Sequence, residues 1–275
     1  MKIFNKVVIV GVGLIGGSLG LAIKKRKLAS RVIGVFRSKN TFSLAKRKKA
    51  VDDGSFDLSV VKGADLVILA GPVKTIISHI KSIAEIVDKN TIIMDVGSTK
   101  SSILKTAKKF IKKENIFIGC HPLAGLEKKG VVSADSDLFK NSLCIICSER
   151  KIDKNIISFW NKIGSKIVIM DARRHDKVLA LTSHIPHLLA FAMVNSVPQN
   201  FIKFSGSGFK DTTRIAASDA NIWKDIFVDN KKQILNSFQK VNLQIKDLIK
   251  ALEKGDSSVL VKLIKKAKIK RDSFK

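Results

Sequence analysis

A glycine-rich turn near the N-terminus constrains the fold more than any other stretch of the chain. Lys6–Val10 is a short apolar run suited to a buried parallel strand, and Gly11-x-Gly13-x-x-Gly16 follows it directly. A helical run then continues to about Lys27. In such a unit the glycines permit a tight turn, close approach of the backbone to a pyrophosphate, and close packing of helix on strand. The pattern predicts a dinucleotide site.

The start of that helix and the end of the next strand complete the predicted cofactor site. Leu14 and Ile15 open the helix, whose N-terminus offers free N–H groups and a partial positive charge. The second predicted strand, Arg31–Phe36, is followed by Arg37 and Ser38, where NAD enzymes usually place Asp or Glu. Because an arginine and a hydroxyl can hold a 2′-phosphate, we expect NAD or NADP to bind, with a preference for NADP. The alternative is a solvated Arg37.

Strands alternate with helices in the first part of the chain, which predicts an α/β domain with a Rossmann-type, doubly wound parallel sheet. Helices are predicted at Ser43–Lys49, behind Pro72, behind Ser98 and at Lys154–Ile163. The predicted strands are Lys6–Val10, Arg31–Phe36, Asp65–Ala70, Thr91–Asp95, Ile116–Gly119, Leu143–Cys147 and Lys166–Met170.

The alternation stops near Asp171, and only helices are predicted beyond it, at about Ala172–Val197, Ile222–Glu253 and Ser257–Lys270. We therefore expect a dinucleotide-binding domain over residues 1–171 and an all-α domain over residues 172–275. The helical faces are broadly apolar, which favours packing on the first domain or on a second copy of the chain.

The charge and composition bear on partners and location. The formal net charge is +28, but the lysines are spread over nearly every segment and the chain has no tyrosine. Solvated basic faces explain this pattern better than a nucleic-acid site, so we expect no nucleic-acid partner. No window approaches the roughly 20 apolar residues of a membrane span, and Met1–Lys6 is too short and polar for a signal peptide. A cytoplasmic protein without a membrane partner is expected.

The three cysteines are expected to be reduced and buried. Cys144 and Cys147 have CxxC spacing but fall on a predicted strand, where residues three apart point to opposite faces. They would not converge on a metal ion, and no metal site is expected. Cys120 precedes a histidine at the end of the predicted strand Ile116–Gly119.

That histidine, His121, is the candidate catalytic base. Ligands of open α/β sheets bind beyond the carboxyl ends of the strands, where His121 and Ser98 both fall. An imidazole that titrates near neutrality is suited to removing a proton from a hydroxyl group. Ser98 is also expected to cap the next helix. The alternative is that both residues have structural roles alone.

Two later segments carry candidate substrate-binding groups. Ser183, His184 and His187 lie on one predicted helix, where Pro186 should disturb the backbone and free carbonyl groups. Substrate hydrogen bonding is favoured over core packing or metal binding. Arg214 follows a glycine-bearing loop and could grip a carboxylate with two hydrogen bonds. An ion pair with Asp211, Asp219 or Glu127 is the alternative for Arg214, and surface or helix-packing roles are expected for His79 and His175.

These residues carry a resemblance to a known family. The chain resembles the prephenate/arogenate (cyclohexadienyl) dehydrogenases, whose motifs occur here in the family's order and cover nearly the whole chain. The matching stretches are Val10–Ser18, Asp95-Val96-Gly97-Ser98-Thr99-Lys100, His121-Pro122-Leu123-Ala124-Gly125-x-Glu127, Ser183-His184-Ile185-Pro186-His187 and Gly208-Phe209-x-Asp211-x-Thr213-Arg214-Ile215-Ala216.

The resemblance implies an activity and a role for each motif residue. It implies oxidative decarboxylation of a cyclohexadienol, giving 4-hydroxyphenylpyruvate from prephenate or tyrosine from arogenate. His121 would accept the hydrogen bond of the C4 hydroxyl, Ser98 would orient it, and Arg214 would bind the ring carboxylate. His187, with Ser183 and His184 nearby, would face the substrate side chain, and Glu127 would pair with Arg214 and gate the site.

The family also implies a homodimer with intertwined helical domains. The sequence departs from the family at Leu126 and Lys129, which border the site, and at Ala220. The choice between prephenate and arogenate therefore stays open. Two rival hypotheses are a different Rossmann dehydrogenase acting on a β-hydroxy acid, and a non-catalytic dinucleotide sensor that binds polyanions.

Overall fold

A single sheet forms the N-terminal part of the molecule. The computed structural model describes residues 2–125 and 129–274, and within them eight strands share this sheet. The strands are β1 Phe4–Val10, β2 Ala29–Val35, β3 Asp53–Ser55, β4 Leu66–Leu69, β5 Ile92–Asp95, β6 Ile116–Pro122, β7 Leu143–Cys147 and β8 Lys166–Ile169. Their spatial order is β3-β2-β1-β4-β5-β6-β7-β8. The chain order reverses between β1 and β4, which creates a crevice at their carboxyl ends.

The direction of the last two strands differs from the expectation. β1 to β6 are parallel, as expected, but β7 is antiparallel to β6, and β8 is parallel to β7. The prediction of an all-parallel sheet is therefore wrong for β7 and β8. A parallel connection needs a crossover of a dozen or more residues, usually a helix. The described part of the β6–β7 connection contains only the short 3-10 turn Val131–Ser133, so the chain returns antiparallel.

Within the described residues, five helices cover the two faces of the sheet. They are α1 Leu14–Lys25, α2 Lys39–Arg47, α3 Val73–Ile83, α4 Ser101–Phe110 and α5 Lys154–Ile163. The last four residues of β1 alternate between two cores: Val7 and Ile9 pack into one, and Val8 and Val10 pack into the other. The first core includes α1, α2 and α5, and the second includes α3 and α4. The doubly wound arrangement is confirmed.

The cysteines lie on both faces of β7 and β6. All three are free and buried. Cys144 and Cys120 belong to the core under α1 and α5, whereas Cys147 packs with Leu104 and Leu179 on the other face. Burial raises the pKa of the Cys147 thiol to about 12. The expectation of buried thiols on opposite strand faces is confirmed.

The chain beyond β8 is helical. Shorter 3-10 segments, Gln199–Phe204 and Arg214–Ala217, flank α8. The helices are α6 Ala172–Leu179, α7 Ile185–Ser196, α8 Ser207–Thr213, α9 Ala220–Asp229, α10 Lys231–Glu253 and α11 Ser257–Asp272. The predicted C-terminal helices are confirmed in outline, and the predicted helix Ile222–Glu253 is divided at Asn230.

A π-helical turn, Ala180–His184, joins α6 and α7 into one helix over Ala172–Ser196. This helix is long and apolar enough to cross a membrane, with a mean hydropathy of 1.4, and 28% of its most apolar window is buried inside the chain. The expectation that no segment approaches a membrane span therefore does not hold for it. Exposed apolar side chains also lie on the last two helices, at Leu243, Ile249, Leu252, Val261 and Ile264.

Candidate active site

The glycine turn between β1 and α1 has the shape that a dinucleotide needs. Gly11 has a φ of +95°, and a Cβ there would lie 2.8 Å from the Ala70 carbonyl oxygen. A Cβ on Gly16 would lie 2.1 Å from the Gly11 carbonyl oxygen, so only glycine lets α1 approach the turn. A Cβ on Gly13 would meet nothing within 4 Å. The open space at Gly13 beside the uncapped start of α1 at Leu14 fits a bound pyrophosphate.

The residues after β2 occupy the position where dinucleotide-binding sheets usually contact the ribose. Arg37 is exposed, and its Nη2 donates to Thr75 Oγ1 on α3 at 3.3 Å. Ser38 caps α2, because its hydroxyl accepts from the Thr41 backbone N–H at 3.2 Å. The Ser38 hydroxyl is therefore engaged by its own helix, whereas the Arg37 guanidinium reaches across the mouth of the crevice.

His121 lies inside β6 rather than after it, because β6 continues to Pro122 through its antiparallel pairing with β7. The predicted strand end at Gly119 is therefore corrected. His121 Nδ1 lies 2.9 Å from His175 Nε2, and His175 Nδ1 lies 2.9 Å from Asp176 Oδ1. His175 is fully buried, which excludes the expected surface role, and its two polar contacts show that it does more than pack between helices. The sequence also did not indicate a role in the site for the next residue, Asp176.

Asp176 also holds the turn that carries Ser98. Its Oδ1 accepts from the Lys100 backbone N–H and its Oδ2 from the Ser101 backbone N–H, each at 2.9 Å. The helix α4 begins at Ser101, and no side chain from its own N-terminus caps it. The prediction that Ser98 caps this helix is therefore wrong. The cap comes from α6, 75 residues along the chain, and Ser98 is left half-buried in the β5–α4 turn.

A buried ion pair lies in the same turn. The Lys100 ammonium donates to Asp95 Oδ2 at the end of β5, and both side chains are 0% exposed. The Gly97 N–H donates to the same oxygen at 2.8 Å. Burial raises the pKa of Asp95, although Lys100 and Gly97 oppose that rise. The pair fixes a positive charge beneath the turn that carries Ser98.

Burial and three neighbouring side chains keep His121 neutral. Burial lowers its pKa well below the usual range, and His175, Lys100 and His184 lower it further. A neutral imidazole has a lone pair available to accept a proton. Burial alone would raise the pKa of Asp176, but hydrogen bonds from His175, Ser101 and Lys100 lower it overall. The site therefore holds a neutral base and, two hydrogen bonds away, a carboxylate.

The predicted histidine cluster lies on the π-helical turn and α7. Pro186 has no N–H, and the Ile185 N–H bonds to the Ala180 carbonyl, five residues back. His187 Nδ1 then lies 2.9 Å from the Ser183 carbonyl oxygen. The expected disturbance of the helix near Pro186 is therefore confirmed. Ser183 is half-buried, and it contacts His187 through its backbone carbonyl.

Two residues that sequence reasoning missed hold these histidines. The His187 ring stacks on Trp223, with centroids 3.5 Å apart and an interplanar angle of 23°. His184 is 1% exposed, and its Nδ1 lies 3.1 Å from Asn230 Nδ2. Asn230 also donates to the Asp176 carbonyl oxygen at 2.8 Å. A tryptophan on α9 and an asparagine at the α9–α10 junction carry no motif that would have singled them out.

The predicted cationic group lies on the helical side. Arg214 is exposed in the 3-10 turn Arg214–Ala217, which packs against α7, the helix that carries His187. Asp219, one alternative partner for Arg214, caps α9 and pairs with Lys129 at 2.6 Å. The other predicted group, Glu127, lies outside the described residues.

A dinucleotide-binding turn at the sheet edge and a half-buried, neutral imidazole at the same edge define a nicotinamide-dependent dehydrogenase. Comparison with known proteins identifies the family. Residues 19–169 match the family model of the prephenate dehydrogenase nucleotide-binding domain, and residues 171–266 match that of the prephenate dehydrogenase dimerization domain. The chain belongs to the prephenate dehydrogenase family, and it is a dehydrogenase of tyrosine biosynthesis.

Named relatives match over nearly the full length. The chain is 34% identical to a Bacillus subtilis prephenate dehydrogenase, covering 98% of this chain and 76% of that protein. It is 30% identical to a Zymomonas mobilis cyclohexadienyl dehydrogenase, covering 100% and 98%. The structure is similar to that of Aquifex aeolicus prephenate dehydrogenase in complex with hydroxyphenyl propionate and NAD+, with a TM-score of 0.92, 30% identity and 98% coverage of both chains. A nicotinamide dinucleotide cofactor and a small-molecule substrate are consistent with these matches.

Proposed function

We propose that this chain oxidises and decarboxylates prephenate or arogenate, with His121 as the proton acceptor. The observation that carries the proposal is the half-buried, neutral imidazole of His121, held from one side by His175 at the carboxyl edge of the sheet. Because Nδ1 is engaged by His175, Nε2 is the ring nitrogen that remains for the C4 hydroxyl of the substrate. Ser98, in the neighbouring turn after β5, would orient the same hydroxyl.

The chemistry requires little beyond this arrangement. The nicotinamide ring, when bound, supplies the acceptor for the hydride that leaves C4. His121 takes the hydroxyl proton, the C1 carboxylate leaves as CO2, and the ring becomes aromatic. Aromatisation supplies the driving force, so the side chains need mainly to orient the substrate and accept one proton. The product is 4-hydroxyphenylpyruvate from prephenate, or tyrosine from arogenate.

The substrate groups would be divided between the two sides of the site. Arg214 would bind the ring carboxylate with two hydrogen bonds. His187, fixed by Trp223 and by the Ser183 carbonyl, would face the substrate side chain with its free Nε2. The buried His184 would pack near His187 and help to fix its position. Glu127 would form an ion pair with Arg214 that controls access to the site.

We also propose a preference for NADP over NAD. Gly11, Gly13 and Gly16 would hold the pyrophosphate, and the N–H groups of Leu14 and Ile15 would donate to it. Arg37 would hold the 2′-phosphate, with Ser38 beside it at the start of α2. The exposed guanidinium of Arg37, in a position where NAD enzymes usually carry a carboxylate, supports this preference.

The apolar helices support a proposal about assembly and location. We place the domain boundary between Asp171 and Ala172 and propose a cytoplasmic homodimer that covers the exposed apolar faces of the helical domain. Leu243, Ile249 and Leu252 on α10 are 60%, 47% and 64% exposed. A second copy is the partner that the matched dimerization domain favours. The apolar helix Ala172–Ser196 would then be covered by protein rather than by lipid.

One assay tests the activity and its rivals. Formation of reduced nicotinamide is followed with prephenate and with arogenate, each with NAD and with NADP. We expect turnover with at least one pair, and a rise of the Michaelis constant for the substrate in Arg214→Ala that Arg214→Lys only partly restores, since lysine lacks the planar fork. Absence of reduction with all four pairs would reject the proposal. A salt-sensitive affinity for polyanions without reduction would favour the non-catalytic sensor.

A further inference from the structure

Three polar side chains form a continuous hydrogen-bonded line that ends at the proposed base. Asp176 Oδ1 contacts His175 Nδ1 at 2.9 Å, and His175 Nε2 contacts His121 Nδ1 at 2.9 Å. His175 and Asp176 are 0% and 3% exposed. They lie in the middle of α6 in the helical domain, whereas His121 lies in β6 of the sheet, 54 residues before His175. The line therefore crosses from one domain to the other.

The proton positions along this line follow from its acidic end. A carboxylate can only accept, so His175 Nδ1 must donate its proton to Asp176. The neutral His175 ring then has a lone pair on Nε2. His121 Nδ1 must therefore carry a proton and donate it to His175 Nε2. Because a neutral imidazole has one N–H and one nitrogen lone pair, the lone pair of His121 is then on Nε2. Each step uses a contact of 2.9 Å between named ring and carboxylate atoms.

We propose that His175 and Asp176 are positioning residues that hold His121 in the tautomer with its proton on Nδ1 and its lone pair on Nε2. This inference rests on the proposed function of His121 as the base. The other neutral tautomer would place a proton on Nε2, where the substrate hydroxyl must donate, and would stop proton transfer. The line of contacts selects the reactive tautomer before the substrate binds.

The same line compensates the charge that catalysis creates. When His121 accepts a proton, the imidazolium is formed near the buried Lys100 ammonium, which disfavours it. Asp176 supplies a negative charge through His175 and offsets that repulsion. The arrangement resembles in its logic the carboxylate that orients the histidine of a serine protease triad, with one more imidazole between the two groups.

Asp176 also has a structural role at the start of α4, and an experiment has to separate this role from the positioning of His121. Its carboxylate also accepts from the Lys100 and Ser101 backbone N–H groups and caps α4. A purely structural Asp176 would affect folding and the Ser98 turn without affecting the tautomer of His121. His175 makes no contact of this kind with α4 among the described hydrogen bonds, so substitutions there isolate the positioning role.

The experiment compares three variants with the wild-type protein. In His175→Phe the acceptor for His121 Nδ1 is lost, in His175→Gln a side-chain carbonyl can still accept from it, and in Asp176→Asn the anionic end is removed. The matched control is Asp153→Asn, which removes a helix-capping carboxylate from α5. Steady-state kinetics are measured for each, together with the thermal midpoint. Nitrogen-15 spectra of labelled histidines report the tautomer of His121, whose signals are assigned by their loss in His121→Asn.

We expect kcat to fall about 10²-fold or more in His175→Phe, within the range for loss of a positioned base, with little change in the substrate KM. His175→Gln should recover part of that loss and keep the proton on Nδ1 of His121. Asp176→Asn should lower kcat, and Asp153→Asn should leave kcat unchanged. The spectrum of folded His175→Phe should show the Nε2-protonated tautomer or a mixture.

Results contrary to these expectations would distinguish an error in the positioning role of His175 from an error in the proposed function of His121. If the wild-type protein reduces the cofactor, but a folded His175→Phe keeps the wild-type kcat or the wild-type tautomer of His121, the positioning role is wrong and the proposed function stands. If His121→Asn itself keeps the wild-type rate, the proposed function of His121 is wrong, and the inference is rejected with it.

Discussion

The proposed cofactor edge and the proposed acid–base centre of this molecule are built in different ways. The cofactor edge uses backbone atoms from one continuous stretch, Gly11–Gly16, and its shape depends on missing side chains. The acid–base centre uses side chains that lie 54 to 76 residues apart and come from both domains. A local backbone motif tolerates changes elsewhere in the chain, whereas a network of buried side chains depends on the docking of the two domains.

The two regions also differ in how they use charge. In the proposed function, the cofactor edge would offer N–H groups and an exposed guanidinium to solvated phosphate groups. The acid–base centre combines a buried ion pair, Lys100–Asp95, with imidazoles that burial keeps neutral. We therefore expect changes at the centre to affect kcat and pH dependence, and changes at the edge to affect nucleotide affinity.

The largest effect should come from removing the base. In His121→Asn, kcat should fall by about 10²–10⁴-fold because the substrate hydroxyl loses its proton acceptor. Nucleotide affinity, measured by titration in the absence of substrate, should stay close to the wild-type value. If nucleotide affinity fell as far as kcat, the separation of the two regions would be wrong.

Acid should destabilise the centre before it affects the edge. Burial lowers the pKa of His184 to about 4 from its ordinary 6.5. Between these pH values the unfolded chain binds a proton at His184 that the folded chain does not. The contribution of neutral His184 to the free energy of unfolding is therefore complete above pH 6.5 and is lost as the pH falls toward 4. The loss from this residue is about 3 kcal/mol.

Urea unfolding at pH values from 7 down to about 5 measures the part of this loss that falls above pH 5, about 2 kcal/mol. His184→Gln should show a shallower dependence on pH than the wild-type protein in that range, by up to about 1.4 kcal/mol per pH unit. Equal slopes for the two proteins would mean that His184 is protonated in the folded state, contrary to its burial against Asn230 and Trp223.

Two glycine substitutions sharpen the contrast at the cofactor edge. Gly16→Ala should lower the free energy of unfolding by about 1–3 kcal/mol, because its methyl group would overlap the Gly11 carbonyl. Gly13→Ala should leave stability nearly unchanged, since the space around its Cβ is open, but it should weaken nucleotide binding where the backbone approaches the pyrophosphate. Equal stability losses in the two variants would show that the close approach of α1 to the turn is not as described.

The smallest effect should be at the ribose end. Arg37→Ala should raise the Michaelis constant for NADP by about 10-fold, the value of one charge-assisted contact of about 1.5 kcal/mol, and should affect NAD less. Arg37→Lys is the control, since it keeps the positive charge but loses the fork. Equal effects on the two cofactors would remove the proposed NADP preference and leave Arg37 as a solvated residue.

The sequence was most informative where physical signals are local. Glycine spacing, apolar strands and helical periodicity predicted the doubly wound core, and the helix Lys154–Ile163 was predicted with its observed bounds. β3 was missed because Asp53–Ser55 is short and polar, and its pairing with β2 holds it in the sheet. The reversal of β7 was missed because the direction of a strand depends on a connection without a recognisable crossover.

The candidate site divides in the same way. His121, Ser98, His184 and His187 belong to compact motifs, which is why the sequence alone makes them candidates. His175 and Asp176 were not, because their importance comes from contacts with residues 54 to 76 positions away. The prediction that Ser98 caps α4 failed for that reason, since a carboxylate from the other domain takes that place. The position of a distant partner is a property of the folded chain, and no spacing rule indicates it.

The central claim is that the free nitrogen of His121 meets the reacting oxygen beside the nicotinamide ring. A crystal structure of this chain with its nicotinamide cofactor and 4-hydroxyphenylpyruvate tests it directly. We predict the phenol oxygen within about 2.6–3.2 Å of His121 Nε2, with Ser98 Oγ on the same oxygen and His175 still on Nδ1. A phenol oxygen bound away from His121, or a His121 ring turned so that Nδ1 faces the ligand, would contradict the account.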